Sequence, residues 1–305
     1  MLFRSQYWKR NLGREDAPQW TFDGTTYDPT MLTALTLSRM KHYAEEQGVE
    51  IKKAVIACPA YYGMMEKNAL KQAGMIAGIN IVNIISEPTA AFLSYFYSNR
   101  DFTKNSKIIV YSLGGSSFDV TLLNYHMKDN GEPCVEIVST NGDNLLGGMD
   151  WDNRLNNYIC ELYSEETGLT LEMIHEDVEI RENIHSKVED VKHALSQVLS
   201  KRLFIKCYGD ITLLDVSREK LEDITQDLVE RTMSFVYQLI AEANFVANDI
   251  DAVLFVGGST RMPMIKLAME ALFPGKVRVE QPELVVAKGA AIADFNGLYK
   301  LFPKP

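Results

Sequence analysis

The sequence is poor in the features that mark most ligand chemistry. Its 305 residues include only four cysteines, Cys58, Cys134, Cys160 and Cys207. No two have CxxC spacing and no HExxH occurs, so the sequence carries neither a local metal motif nor a disulfide framework. Buried free thiols are expected instead. Neither GxxxxGKS/T nor GxGxxG is present, which removes the P-loop and dinucleotide fingerprints. Apolar runs stop at strand length, too short for a membrane helix. The opening MLFRSQYWKRNLG has no apolar core of the kind a signal peptide needs. Positive charge is in deficit, with 31 Lys and Arg against 41 Asp and Glu and a net charge of −10. With no basic cluster to offset that balance, nucleic acid and anionic membrane surfaces are poor partners. A cytoplasmic location is the expectation.

What is present is enough apolar material, 46% of the residues, to bury a core of about two domains' size. The first half alternates strands with helices: IKKAVIAC (51–58), a helical stretch from Met64 to Ala77, INIVNII (79–85), then a helix over 87–98 with Pro88 in its first turn. Two strands, KIIVYS (107–112) and FDVTLLNY (118–125), follow around a glycine turn, and CVEIVST (134–140) is another. From Asp150 to about Ser200 the spacing is helical, interrupted at Thr167-Gly168. LFIKC and ITLLDV then form a hairpin about Tyr208-Gly209-Asp210, and a long helix runs from Glu219 to Asn244. The pattern predicts an α/β fold with helices on a mixed sheet and an inserted subdomain.

Two units echo one another. YSLGGSSFD (111–119) and VLFVGGSTRMP (253–263) are each a strand, a Gly-Gly turn and small hydroxyl residues. Glycines at a strand end let backbone N–H groups approach an anion, and a following helix N-terminus adds partial positive charge. One such turn alone is only a tight turn. Two of them suggest a duplicated, two-lobed fold with a ligand cleft between the lobes.

Taken in order, VIACPAYYG (55–63), ISEPTAAF (85–92), YSLGGSSFDV (111–120), LLGGMDWDNRL (145–155), VKHALS (191–196), VLFVGGSTRMP (253–263) and VVAKGAA (285–291) resemble the nucleotide-binding domain of the 70-kDa heat-shock chaperones. The resemblance covers nearly the whole chain. It implies the two-lobed actin-like ATPase fold, with a lobe I portion over 1–125 and lobe II over 126–305. The inserted subdomain is expected at about 150–248, with a last helix, about 284–298, returning to lobe I. It further implies that the family's first phosphate hairpin would precede this chain and that its linker and peptide-binding domain would follow. Adenine nucleotide (ATP or ADP) with Mg²⁺ reached through waters, and co-chaperones or nucleotide-exchange partners, are the implied ligands and partners. Slow ATP hydrolysis is the implied activity, in a molecular chaperone of the stress response. The competing reading is a non-catalytic nucleotide or interaction module.

Residue by residue, the resemblance makes Lys9, in the segment FRSQYWKRNLGRED, the lysine facing the γ-phosphate and attacking water. Glu87 would orient that water and the metal's hydration shell. Gly114, Gly115, Ser116 and Ser117 would contact phosphate, with Asp119 supporting their loop and Gly147 and Gly148 completing it. Glu189, Lys192, His193, Ser196, Gly257, Gly258, Ser259 and Arg261 would hold the nucleoside. Glu189, Lys192 and Ser196 share a helix face, and Arg261 can stack its guanidinium on adenine. Pro59 falls where the family has a coupling proline. Four positions depart from the family pattern. Ser112 replaces an aspartate of the metal shell, Ser116 a glycine, His193 an arginine, and Glu283 an aspartate expected near the metal. Metal handling is therefore where this sequence departs furthest.

Overall fold

The structure, a computed structural model, describes residues 8–99, 105–127 and 133–295. The chain enters through a short 3-10 turn, Trp8–Asn11, and the hairpin β1 Trp20–Phe22 and β2 Thr25–Tyr27. Helix α1 then covers Pro29–Glu46. Its start has a local cause: the Asp28 carboxylate accepts from the Met31 amide at 2.7 Å, and Pro29 takes the first helical position, where no N–H is needed. β3 (Lys53–Cys58), α2 (Met64–Ile76) and β4 (Asn80–Ser86) form a parallel strand–helix–strand unit, and α3 (Glu87–Asn99) leaves directly from β4.

The principal sheet has five strands in the order β11, β10, β5, β6, β7, with ranges Val277–Val279, Ala252–Val256, Asn105–Leu113, Phe118–Met127 and Pro133–Asp143. β11, β10 and β5 are parallel, while β5, β6 and β7 are antiparallel. The expected lobe division at 125 falls inside β6, which is paired to β5 and, with a register shift between Leu122 and Leu123, to β7. Ile109, Tyr111 and Leu113 of β5 face a core completed by Val236, Leu239 and Met269. Ile108 and Val110 face Ala91, Phe92 and Tyr95 of α3. A strand covered on both faces reads as an unbroken apolar run, which is why Ser112, 5% exposed in that run, stands out.

The inserted unit has its own core. α4 (Gly148–Thr167), α5 (Leu171–Glu176), α6 (Val178–Leu195), the hairpin β8 (Ser200–Cys207) and β9 (Asp210–Ser217), and α7 (Arg218–Ile224) enclose apolar residues from Leu155 to Leu221. The hairpin turns at Tyr208 and Gly209, both at positive φ (53° and 93°), as a two-residue turn with the sheet's natural twist requires. The long helix expected over 219–244 is instead two, α7 and α8 (Gln226–Glu242), broken at Thr225. Thr225 is fully buried, and its hydroxyl donates to the Leu221 carbonyl at 2.6 Å. This side-chain bond competes with the helical ladder and bends the chain. α8 packs on the principal sheet rather than in the inserted core.

α9 (Pro263–Leu272) follows the second glycine turn, and α10 (Val285–Phe295) lies across α3. Residues 296–298 of the expected last helix lie outside the described residues. All four cysteines are buried and free. Among the described residues no helix is long and apolar enough to cross a membrane.

Candidate functional site

β5 and β10 are parallel neighbours with Ser112 paired to Val256, so their C-terminal ends deliver both glycine turns to one edge of the sheet. α4 starts between them. Gly148 and Met149 donate their amides to the carbonyls of Gly114 and Gly115, each at 2.9 Å, and the Ser259 hydroxyl donates to the Gly114 carbonyl at 3.1 Å. Side chains would not fit in this junction. A Cβ on Gly147 would lie 2.6 Å from the Gly115 carbonyl oxygen, and one on Gly148 would lie 2.2 Å from Ser259 Oγ. Gly257 has φ 87° and sits against the Leu113 carbonyl, a conformation that L side chains avoid. Gly147 donates its amide to Asp150 at 2.7 Å. The amides of Gly147 and Gly148 are thus committed within the protein, and both glycines serve close packing.

The loop they support is different. Gly114 donates to the Ser117 carbonyl at 3.1 Å and closes a tight turn. Within that turn the amides of Gly115, Ser116 and Ser117 have no protein acceptor among the described residues. Three consecutive N–H groups form a donor set suited to an anion. A cleft of about 100 Å³ opens beside them, lined by Lys9, Arg10, Tyr61, Ser116 and Ser117. Arg10 donates from Nε to the Ser116 carbonyl at 2.7 Å and pairs with Asp150 at 3.4 Å, holding the loop to the start of α4. Lys9 Nζ lies 3.3 Å from Glu87 Oε1, the first residue of α3. Tyr62 donates to the Lys9 carbonyl at 3.2 Å, which anchors that lysine's backbone. Pro59 is buried at the end of β3 and its carbonyl accepts from Tyr62 at 3.1 Å.

Beneath the loop, Asp119 is 1% exposed and stands directly across from Ser112 in the β5–β6 ladder. Burial, with the negative charge of Glu87, pushes its carboxyl up to about 7. The Ser112 hydroxyl and Lys9 pull the other way. One of its oxygens, Oδ1, is buried with no hydrogen-bond partner among the described residues. Tyr61 is 41% exposed, yet partial desolvation and then the Asp119 charge push its phenol up to about 12. Because the folded state raises the Asp119 pKa above 3.8, its contribution to stability is complete at acid pH and is lost as pH rises towards about 7. Asp119→Asn, neutral throughout, is expected to lose that dependence. Thermal melting of both proteins across this range should show wild type falling relative to the variant. Parallel curves would remove Asp119 as the cause.

At the other end, Lys192 of α6 and Ser259 of the 3-10 turn Gly258–Arg261 both approach Gly148 at the start of α4. The family resemblance places Lys192 with Glu189 among the residues that hold the nucleoside. Lys192 is 5% exposed and turned inward, its ammonium 2.7 Å from Asp152 Oδ2 and 3.1 Å from the Gly148 carbonyl. Burial raises the Asp152 carboxyl, and Lys192 counters it. Glu189 and His193 are exposed and lie 4.0 Å apart. Ser196 caps α6 and its hydroxyl donates back to the Lys192 carbonyl at 3.1 Å. Arg261 places one guanidinium nitrogen 2.8 and 3.0 Å from the two oxygens of Glu283. Glu283, expected near the metal, therefore stands with Arg261, which also holds its carboxyl below the ordinary glutamate value.

Three lining or supporting residues were not singled out from the sequence. Arg10 adjoins Lys9, Tyr61 lies in VIACPAYYG, and Asp152 lies in LLGGMDWDNRL. Each sits inside a motif that was visible, but only the tertiary contacts give it a partner. The Hsp70 protein family model matches residues 10–294. The chain is 36% identical over 293 residues to the Chaperone protein DnaK of Thermosipho africanus (strain TCF52B), covering 93% of this chain and 47% of that one. The chain thus spans about half the length of this curated relative. With the family model covering most of the chain and its α/β architecture agreeing, the protein belongs to the Hsp70 family and has that family's actin-like ATPase fold.

Proposed function

We propose that this chain binds ATP or ADP with Mg²⁺ across the junction of the glycine turns, as the nucleotide-binding domain of a chaperone. The observation that carries this is the run of three amides, Gly115 to Ser117, without an acceptor among the described residues and lining the same cleft as Lys9. The amides and serine hydroxyls hold phosphate oxygens, and Lys9 adds charge at the γ position. Glu87 orients a water. Arg261 keeps its edge on Glu283 and offers its face to adenine, with His193 as a second stacking surface. Glu189, Ser196, Gly257, Gly258 and Ser259 border the nucleoside. Lys192 acts through Gly148, as a positioning residue. The partly exposed Glu87 carboxylate fits the hydration shell of a cation, while the buried Asp119 supports the loop from beneath. Mg²⁺ would neutralise phosphate charge when bound. Co-chaperones and exchange factors are the corresponding partners.

A second reading, nucleotide binding without turnover, is favoured by the Ser112–Asp119 pair. A hydroxyl stands where the family resemblance calls for a carboxylate, and the carboxylate opposite it holds its proton up to about 7. Calorimetry with Mg²⁺-ADP, followed by phosphate release from Mg²⁺-ATP, separates the two. Turnover that falls roughly 10²–10⁴-fold in Lys9→Ala or Glu87→Ala supports hydrolysis. Binding with no turnover supports the module, and no binding of either nucleotide overturns both.

A further inference from the structure

The sequence contains no local metal-binding spacing, yet strand pairing assembles a ligand set far from the cleft. His126, near the end of β6, is the cross-strand partner of Cys134 in β7, so the two side chains share one face of the sheet. Glu136, two residues beyond Cys134, lies on that face as well. One ligand atom from each of the three lies within 4.8 Å of the others, with Cys134 Sγ 4.0 Å from Glu136 Oε1. Cys134 is buried and Glu136 is exposed at the rim. Independently, His126 Nδ1 is buried with no hydrogen-bond partner among the described residues, a condition native structures rarely leave unexplained.

We propose that His126, Cys134 and Glu136 bind a borderline-soft divalent ion, Zn²⁺ in the first instance. Imidazole nitrogen, thiolate sulfur and carboxylate oxygen together match the zinc donor set, with three protein ligands leaving a fourth position to water. Tetrahedral coordination at usual Zn–S and Zn–N lengths puts ligand atoms about 3.4–3.6 Å apart, so closure asks for about 1 Å of side-chain adjustment. The thiol proton passes to buffer as the Zn–S bond forms. His126 lies eight residues along β6 from Phe118, roughly 27 Å from the cleft edge. Metal here staples the end of the β6–β7 pair without touching the nucleotide residues. Mg²⁺ is excluded by the sulfur and nitrogen donors.

The test uses the full chain, reduced and chelator-treated, titrated with CoCl₂ and then ZnCl₂. One equivalent of Co²⁺ should give a thiolate-to-cobalt charge-transfer band that Zn²⁺ abolishes and Mg²⁺ leaves unchanged. Cys134→Ser should lose the band, and Cys58→Ser should keep it. His126→Ala should weaken binding by more than the roughly 10–100-fold that loss of an outer-shell partner costs. Glu136→Gln alters only an exposed side chain and keeps the test valid if a buried variant fails to fold. It should weaken Zn²⁺ binding measurably. Absence of the band in wild type, its persistence in Cys134→Ser, or unchanged affinity in His126→Ala or Glu136→Gln would overturn the proposal.

Discussion

Gly289→Ala is expected to lower the melting temperature by about 3 °C, although alanine is the better helix former. α10 crosses α3 so closely that a Cβ on Gly289 would lie 1.7 Å from the Ala90 carbonyl oxygen and 2.4 Å from its carbon. These are backbone atoms of a helix and have no rotamer to change. Alanine gains up to about 1 kcal/mol of helix propensity. Overpacking typically costs about 1–3 kcal/mol, and a backbone clash belongs at or beyond the top of that range. The clash therefore wins by about 2 kcal/mol, which spread over the unfolding entropy of a 305-residue chain is about 3 °C. The small residues around it, Ala90, Ala290 and Ala293, are all buried and leave no slack. Gly115→Ala is the control, because nothing lies within 4 Å of its added Cβ. Thermal melting of both variants checks this, and an unchanged or raised midpoint for Gly289→Ala would mean that the helices are not so close.

Lys192→Met carries the second large effect. The methionine keeps most of the lysine's unbranched apolar stem and leaves Asp152 without its cation in a site where Lys192 is 5% exposed. Breaking a fully buried pair costs about 3–5 kcal/mol. The Asp152 side chain is 24% exposed, so water recovers part of that, and about 2–3 kcal/mol is the expected loss in urea unfolding at neutral pH. The direction with pH is fixed by Asp152. Its carboxyl is already raised by burial, with Lys192 opposing the rise, so removing Lys192 raises it further. The penalty is then present while Asp152 is charged and fades as acid protonates it. The gap between variant and wild type should narrow as pH falls. In an Asp152→Asn background the same substitution should cost much less, and an equal loss there would exclude the pair as the cause. Because Lys192 also holds the Gly148 carbonyl, nucleotide affinity should fall with stability.

Some misses were local and legible in principle. Asp23-Gly24, at φ 49° and 75°, is a hairpin turn dipeptide, and Asp28-Pro29 is a helix start. Neither stands out by periodicity, because β1 and β2 are only three residues each and α1 has a weakly amphipathic pattern. The break at Thr225 was not legible, because α7 and α8 are each helical and their bend serves two different cores. Nor could the metal-ligand group be read from residues 126, 134 and 136 without the register of β6 on β7.

By itself the sequence determined the alternation of strands and helices, the two strand-ending glycine turns, and the order of motifs that marks the family. Those properties are written in periodicities of two and 3.6 residues and in side chains too small to be replaced. The tertiary structure alone decided which groups are free to act. It used the amides of Gly147 and Gly148 within the protein and, among the described residues, left those of Gly115 to Ser117 without an acceptor. It turned Lys192 inward and set Glu283 against Arg261. A side chain's availability depends on what else is within about 3 Å of its polar atoms, and that is set by residues tens to hundreds of positions away in the chain.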